Sequence, residues 1–166
     1  MTSTELKISR SITLLAVLMR KPKVTPAVSG SADDTETAFY EALQCGDIEK
    51  LMACWADEDD IVCVHPGGAR LIGAVAIRAA FDAMFANGSL QVRVEKIRIV
   101  ESMSARVHSV LERIEVLTDE GPHHTHVIAT NVYLKMAEGW RMVGHHASFG
   151  TQREMLEASD IPQVLH

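Results

Sequence analysis

From residue 31 onward, apolar and polar positions follow two different rhythms. In "SADDTETAFYEALQCGD" (31–47), Ala38, Phe39, Ala42 and Leu43 recur at helical spacing. This predicts a helix with Ser31, Asp33 or Asp34 as its cap and Gly46 as its stop. Asp47 can cap a second helix, in which Ile48, Leu51, Met52 and Trp55 form one apolar stripe. Almost nothing separates the two, so they must pack as a bent pair. "DEDD" (57–60) is a polar break, and "IVCVH" (61–65) reads as a strand apolar on both faces. Ile61, Cys63 and His65 share one side of it, Val62 and Val64 the other. Pro66 removes an amide donor and Gly67-Gly68 permits a sharp turn, so the strand ends there. "AVAIRAAFDAMFANG" (74–88) is the clearest helix, with Ile77, Phe81, Met84 and Phe85 on one face and Asn87-Gly88 as terminator.

After residue 90 the period drops towards two. "LQVRVEKIRIV", "ARVHSVLERIEVLT", "HHTHVIATNVYLKM" and "WRMVGHHASFG" alternate apolar with polar positions. Turn signals separate them at Glu101-Ser102, at Asp119-Glu120-Gly121-Pro122 and at Glu138-Gly139. Helices followed by hairpin-linked strands predict an α+β fold: an antiparallel sheet with its helices gathered on one side.

Residues 1–31 do not match this pattern. "SRSITLLAVLMRKPK" (9–23) has basic flanks around an apolar run, Ile12 to Met19, too short to span a bilayer. It resembles the apolar part of a signal peptide, but Arg20 to Lys23 stand where a cleavage region would lie. The expected organisation is a flexible extension over 1–31, a domain over 32–150 and a tail over 151–166. The 166 residues are 47% hydrophobic and 23% charged, which suits one domain with a proper core. The formal net charge of −6 and the lack of a basic face argue against nucleic acid as a partner. Cys45, Cys54 and Cys63 are odd in number and lack CxxC spacing. They read as small buried hydrophobes in a reducing, cytoplasmic setting.

The order helix, helix, strand, "HPGG", helix, four strands resembles the NTF2-like superfamily, in particular its SnoaL-like and ketosteroid-isomerase-like branches. "FYEALQCGDIEKLMACWADED", "VCVHPGGARLIGAVAIRAAF" and "GWRMVGHHASFG" carry the likeness, over roughly residues 32–150. The resemblance implies a cone in which a strongly curved antiparallel sheet wraps three N-terminal helices around a mostly apolar pocket. It also implies a homodimer formed through outer sheet faces. Isomerases, dehydratases, polyketide cyclases and non-catalytic modules share this fold, so the fold does not name a reaction.

The isomerase branch places its proton-shuttling Asp directly before a Pro at this strand end, a position held here by His65. Its oxyanion-stabilising Tyr falls on Phe39, with Tyr40 expected to point elsewhere. Its second oxyanion donor, an acid, falls near Thr130 or Asn131. His65 can serve as a base because imidazole titrates near working pH; the plainer alternative is a rim histidine bonded to the following turn. Thr130 and Asn131 would bond a ligand's carbonyl or hydroxyl. His145, Ala147 and Phe149 are expected on the pocket side, and His146 with Trp140, Met142 and Ser148 on the outer face. For His145, pocket lining stands beside plain packing.

Trp55 and Phe81 are core positions that touch the cavity in the resembling fold. "HHTH" (123–126) puts His124 and His126 on one face. A metal needs a third ligand, and a polar strand start is the simpler reading, so no metal is assigned. The expected protein is a cofactor-free isomerase, dehydratase or cyclase acting on a small apolar or carbonyl-containing ligand. The alternative is a non-catalytic module that binds a ligand or a protein partner.

Overall fold

The computed structural model describes residues 30–118, 121–151 and 153–154. The expected extension and tail therefore lie almost wholly outside the described residues. Helix α1 (Ala32–Cys45) is followed by α2 (Ile48–Ala53), β1 (Val62–Val64), β2 (Arg70–Ile72), α3 (Ala74–Phe85), β3 (Gln91–Glu101), β4 (Ala105–Thr118), β5 (Gly121–Met136) and β6 (Gly139–Phe149). Ser31 is the residue that caps α1. Its Oγ accepts from Asp34 N at 3.2 Å, and the Asp34 carboxylate accepts from Ser31 N at 2.7 Å. This reciprocal pair satisfies two of the helix's open donors. Gly46 ends α1 with φ 66°, and Asp47 caps α2 by accepting from Lys50 N at 3.0 Å.

Helix α2 is shorter than the apolar stripe predicted. It stops at Ala53, and Trp55 instead makes a single bridge to Met142 of β6, with Ala56 N and Cys54 O both bonded to Met142. The backbone here trades helical bonds for sheet-like ones, which seats the Trp55 ring, 1% exposed, beneath α1.

The six strands form one curved, unclosed sheet in the order β2-β1-β6-β5-β4-β3. Neighbours are antiparallel except β1 and β6, which run parallel, so the sheet is mixed rather than wholly antiparallel. The sequence pattern could not show this, because all the chain between the two strands serves as the crossover a parallel pair needs.

The helices cover the concave face. Phe39 sits at the centre, meeting Tyr40, Trp55 and Phe81 edge-on at ring-centroid distances of 5.3, 6.4 and 6.2 Å. Leu51, Ile77, Tyr133 and Met142 complete the core. The expected burial of all three cysteines holds for Cys54 and Cys63; Cys45, at the end of α1, is exposed.

Met142 also departs from its expected place. The β5–β6 register slips between Val132 and Tyr133, so one extra residue of β6 bulges out and the in–out alternation reverses below it. His145 and Ala147 are inward and His146 outward, as the resemblance implies, but Met142 is fully buried on the inner side.

Candidate functional site

A cavity of about 320 Å³ opens between α1, α3 and the concave side of the sheet. Phe39, Leu43, Phe81, Met84, Val92, Ile114, Val127 and Phe149 make most of its wall. Four residues with polar side chains are part of its lining: His65, Glu112, Thr125 and His145. Of the residues singled out in the sequence, Phe39, Phe81, His65 and His145 line the cavity. Trp55 does not; its ring lies behind Phe39. Thr130 is exposed and pairs across the outer face with His146, because Asn131 takes the inward position and neighbours on a strand cannot share a face.

His65 leaves β1 just before the Pro66-Gly67 turn, which is closed by Gly68 N on His65 O at 2.9 Å. Gly67 has φ 71°, the left-handed backbone that the third position of such a turn needs. The turn carries the ring back over the sheet, edge-on to Phe81 at 4.9 Å and 6.3 Å from the ring of His145. Its Nε2 lies 3.4 Å from Cys63 Sγ. Burial pushes the Cys63 thiol up to about 12, so the sulfur stays protonated and acts only as a weak partner. Burial also lowers the His65 value below 6.5, which keeps the imidazole neutral at pH 7.

Sequence reasoning missed the polar network behind this wall. Helix α1 buries Glu36 and Tyr40 together with its apolar stripe. Tyr40, expected to point elsewhere, turns its hydroxyl inward and donates to Glu112 Oε1 at 2.6 Å. Asn131 spends both amide protons, one on Tyr40 Oη and one on Glu36 Oε2, each at 3.1 Å. Its Oδ1 faces His145 Nδ1 at 2.7 Å. Glu36 Oε2 also receives Tyr133 Oη at 3.0 Å and His108 Nδ1 at 2.9 Å. Polar groups taken out of water are stable only when paired in this way. The alternation of β4 did hold a signal: Glu112 falls on the same face as Val110 and Ile114. A charged residue in register with apolar ones is the mark of a buried acid.

Burial raises the Glu112 carboxyl from 4.5 to about 7; the Tyr40 hydrogen bond opposes this and the Glu36 charge adds to it. Burial first, then the charges of His65 and His146, lowers His145 from 6.5 to about 3. The two groups bias stability in opposite senses. Between pH 4.5 and 7 the folded chain keeps a proton on Glu112 that the unfolded chain has released, so stability falls as pH rises through that window. Between pH 3 and 6.5 the unfolded chain holds a proton that folded His145 lacks, so stability rises with pH there. Glu112→Gln removes the falling contribution alone. It is expected to stabilise the protein above pH 7 by up to about 3 kcal/mol and to give no gain below pH 4.5, read from urea midpoints across pH.

His126, from the predicted histidine cluster, pairs with Glu95 at 3.1 Å, and Glu95 also holds Arg113 at 3.2 Å. Among the described residues, no group of three His, Cys, Asp or Glu is arranged to hold a metal ion. Among them, too, no helix is long and apolar enough to cross a membrane.

Residues 33–152 match the model of the SnoaL-like domain family. A candidate calcium/calmodulin-dependent protein kinase type II association domain from Thiobacillus denitrificans is 35% identical, with a TM-score of 0.66, over 73% of this chain and 96% of that one. A candidate dehydratase of the NTF2-like family from Streptomyces avermitilis is 27% identical, with a TM-score of 0.63, over 70% of this chain and 92% of that one. The CaMKII hub of S. rosetta shares the fold at 20% identity and a TM-score of 0.58, over 70% and 92%. No curated protein matches the chain.

Proposed function

The chain belongs to the SnoaL-like domain family, and from that premise we propose that it binds a small, apolar, carbonyl-containing molecule and moves a proton on it without a cofactor. The observation that carries this reading is the placement of two different titratable groups on one apolar cavity. His65 is neutral at pH 7 and available as a base, while Glu112 is a carboxyl raised to about 7 and available as an acid.

In this reading His65 removes a proton from the carbon beside the ligand's carbonyl. Glu112, steadied by Tyr40, donates a hydrogen bond to the carbonyl oxygen as negative charge develops there. Return of the proton from His65 to another carbon makes the step an isomerisation; its transfer to a hydroxyl on the next carbon, which leaves as water while the double bond forms, makes it a dehydration. Similarity to a candidate dehydratase agrees with this class of chemistry.

A test that needs no knowledge of the natural substrate uses 2-tetralone in heavy water, following loss of its α-proton signals by NMR. The protein is expected to accelerate this exchange in a saturable way. Saturable binding without exchange would favour the non-catalytic ligand-binding module.

The outer sheet face supports a homodimer. Val107, Val132, Gly144 and Val62 lie side by side across β4, β5, β6 and β1, with Ile72 of β2 half exposed at the end of the row. Among the described residues no helix covers this side, and an apolar row of that length is suited to a second copy of itself. Likeness to proteins named as an association domain and a hub agrees with self-assembly. Val132→Arg is expected to weaken the dimer by about 2 kcal/mol or more, roughly thirtyfold. Native mass spectrometry reads this as a shift to monomer, and an unchanged dimer would place the interface elsewhere.

A further inference from the structure

The proposed reading of the cavity leaves open what kind of ligand it selects, and the buried network narrows that choice. Asn131 cannot turn its amide round. Its nitrogen faces the Glu36 carboxylate and the Tyr40 hydroxyl, whose own proton goes to Glu112. A flipped amide would press its oxygen against the Glu36 carboxylate. Asn131 Oδ1 therefore faces His145, and an amide oxygen can only accept. The proton of His145 must then sit on Nδ1, which leaves a lone pair on Nε2. That atom has no hydrogen-bond partner among the described residues. Nor is it sealed in, since the sealed and unpartnered side-chain atoms among the described residues are Trp55 Nε1 and His108 Nε2. It is open to the cavity that His145 lines.

Resting on the proposed reading of the cavity, we propose that His145 is a tautomer-locked hydrogen-bond acceptor, and that the cavity selects neutral ligands carrying a hydroxyl as well as a carbonyl: the small hydroxyketones. The hydroxyl donates to His145 Nε2 while the carbonyl meets Glu112. Glu36, which touches no ligand, is the positioning residue that fixes Asn131 and through it the tautomer. Among the described residues no lysine or arginine lines the cavity, so a ligand carboxylate would meet a lone pair and an acid with no cation among them to offset its lost hydration. The volume is roughly twice the ~150 Å³ that takes a single benzene ring, which fits a bicyclic skeleton.

The test titrates five compounds of one skeleton into the full-length protein: tetralin, 1-tetralone, 1-tetralol, 4-hydroxy-1-tetralone and 4-oxotetralin-1-carboxylic acid. The hydroxyketone is expected to bind at least about tenfold tighter than 1-tetralone, the worth of one well-made hydrogen bond, and the acid not measurably. In His145→Phe the advantage of the hydroxyketone over 1-tetralone is expected to vanish. Nitrogen-15 NMR of the unmodified protein is expected to show His145 protonated on Nδ1 and bare on Nε2 from pH 5 to 8. If all the neutral compounds bind alike, or the acid binds best, or Nε2 carries the proton, the selection proposed here is wrong while the cavity remains a ligand site. If none of the five binds, both readings fall.

Discussion

His65→Ala is expected to slow α-proton exchange of 2-tetralone by about 10²–10⁴-fold, the usual worth of a positioned general base. Affinity for the ketone should stay within about threefold, because the ring covers one edge of a wall built mainly from Phe39, Phe81, Met84 and Val127. The substitution falls at the end of β1, where His65 contributes its carbonyl to the turn through Gly68 N, a backbone bond that alanine keeps. Fold and binding therefore serve as internal controls. A variant that exchanges protons as fast as its parent would remove His65 from the chemistry and leave the turn as its purpose.

The largest loss of stability is expected from Glu36→Leu. Three donors converge on one oxygen of this side chain, from Asn131, Tyr133 and His108, and all three belong to buried residues. Leucine fills similar space but strands each of them, and a broken buried polar network typically costs about 3–5 kcal/mol. For a domain of this size that is a fall in melting temperature of about 10–20 °C. Glu36→Gln retains an acceptor oxygen and is expected to lose clearly less. Equal losses in the two variants would mean that the charge of Glu36, rather than its role as acceptor, holds the network together.

The architecture was legible because it rests on local periodicity. Phe39 and Leu43 announce α1, Ile77 and Phe81 announce α3, and the alternation after residue 90 announces four strands. What stayed hidden depends on contacts between distant segments. Whether β1 runs parallel to β6 is decided by how 70 or so intervening residues fold back, on the order of a whole βαβ unit or more. The bulge that buries Met142 is a slip of one residue at Val143, beside Gly144; a glycine inside a strand marks where a bulge can form but not which way the register slips.

The site was half legible for the same reason. His65 stood out through its proline and glycines; alternation said only that one of His145 and His146 faces inward, and the resemblance implied that it is His145. The resemblance implies an acid near Thr130 or Asn131. The structure supplies an acid from the neighbouring strand instead, as Glu112, and a phenol one position along α1 from the expected place, as Tyr40. A helix advances about 100° per residue, so adjacent positions both reach the interior when a curved sheet surrounds the helix on more than one side. Phe39 and Tyr40 are both buried for that reason.

The most direct test of the paired His65 and Glu112 is the pH dependence of 2-tetralone exchange, corrected for the rate in buffer. A neutral imidazole with its value lowered by burial and a protonated carboxyl near 7 give a bell-shaped profile whose maximum lies below about pH 7. The acid limb should disappear in His65→Ala and the alkaline limb in Glu112→Gln. A rate that climbs steadily with pH, equally in the parent and both variants, would contradict the account.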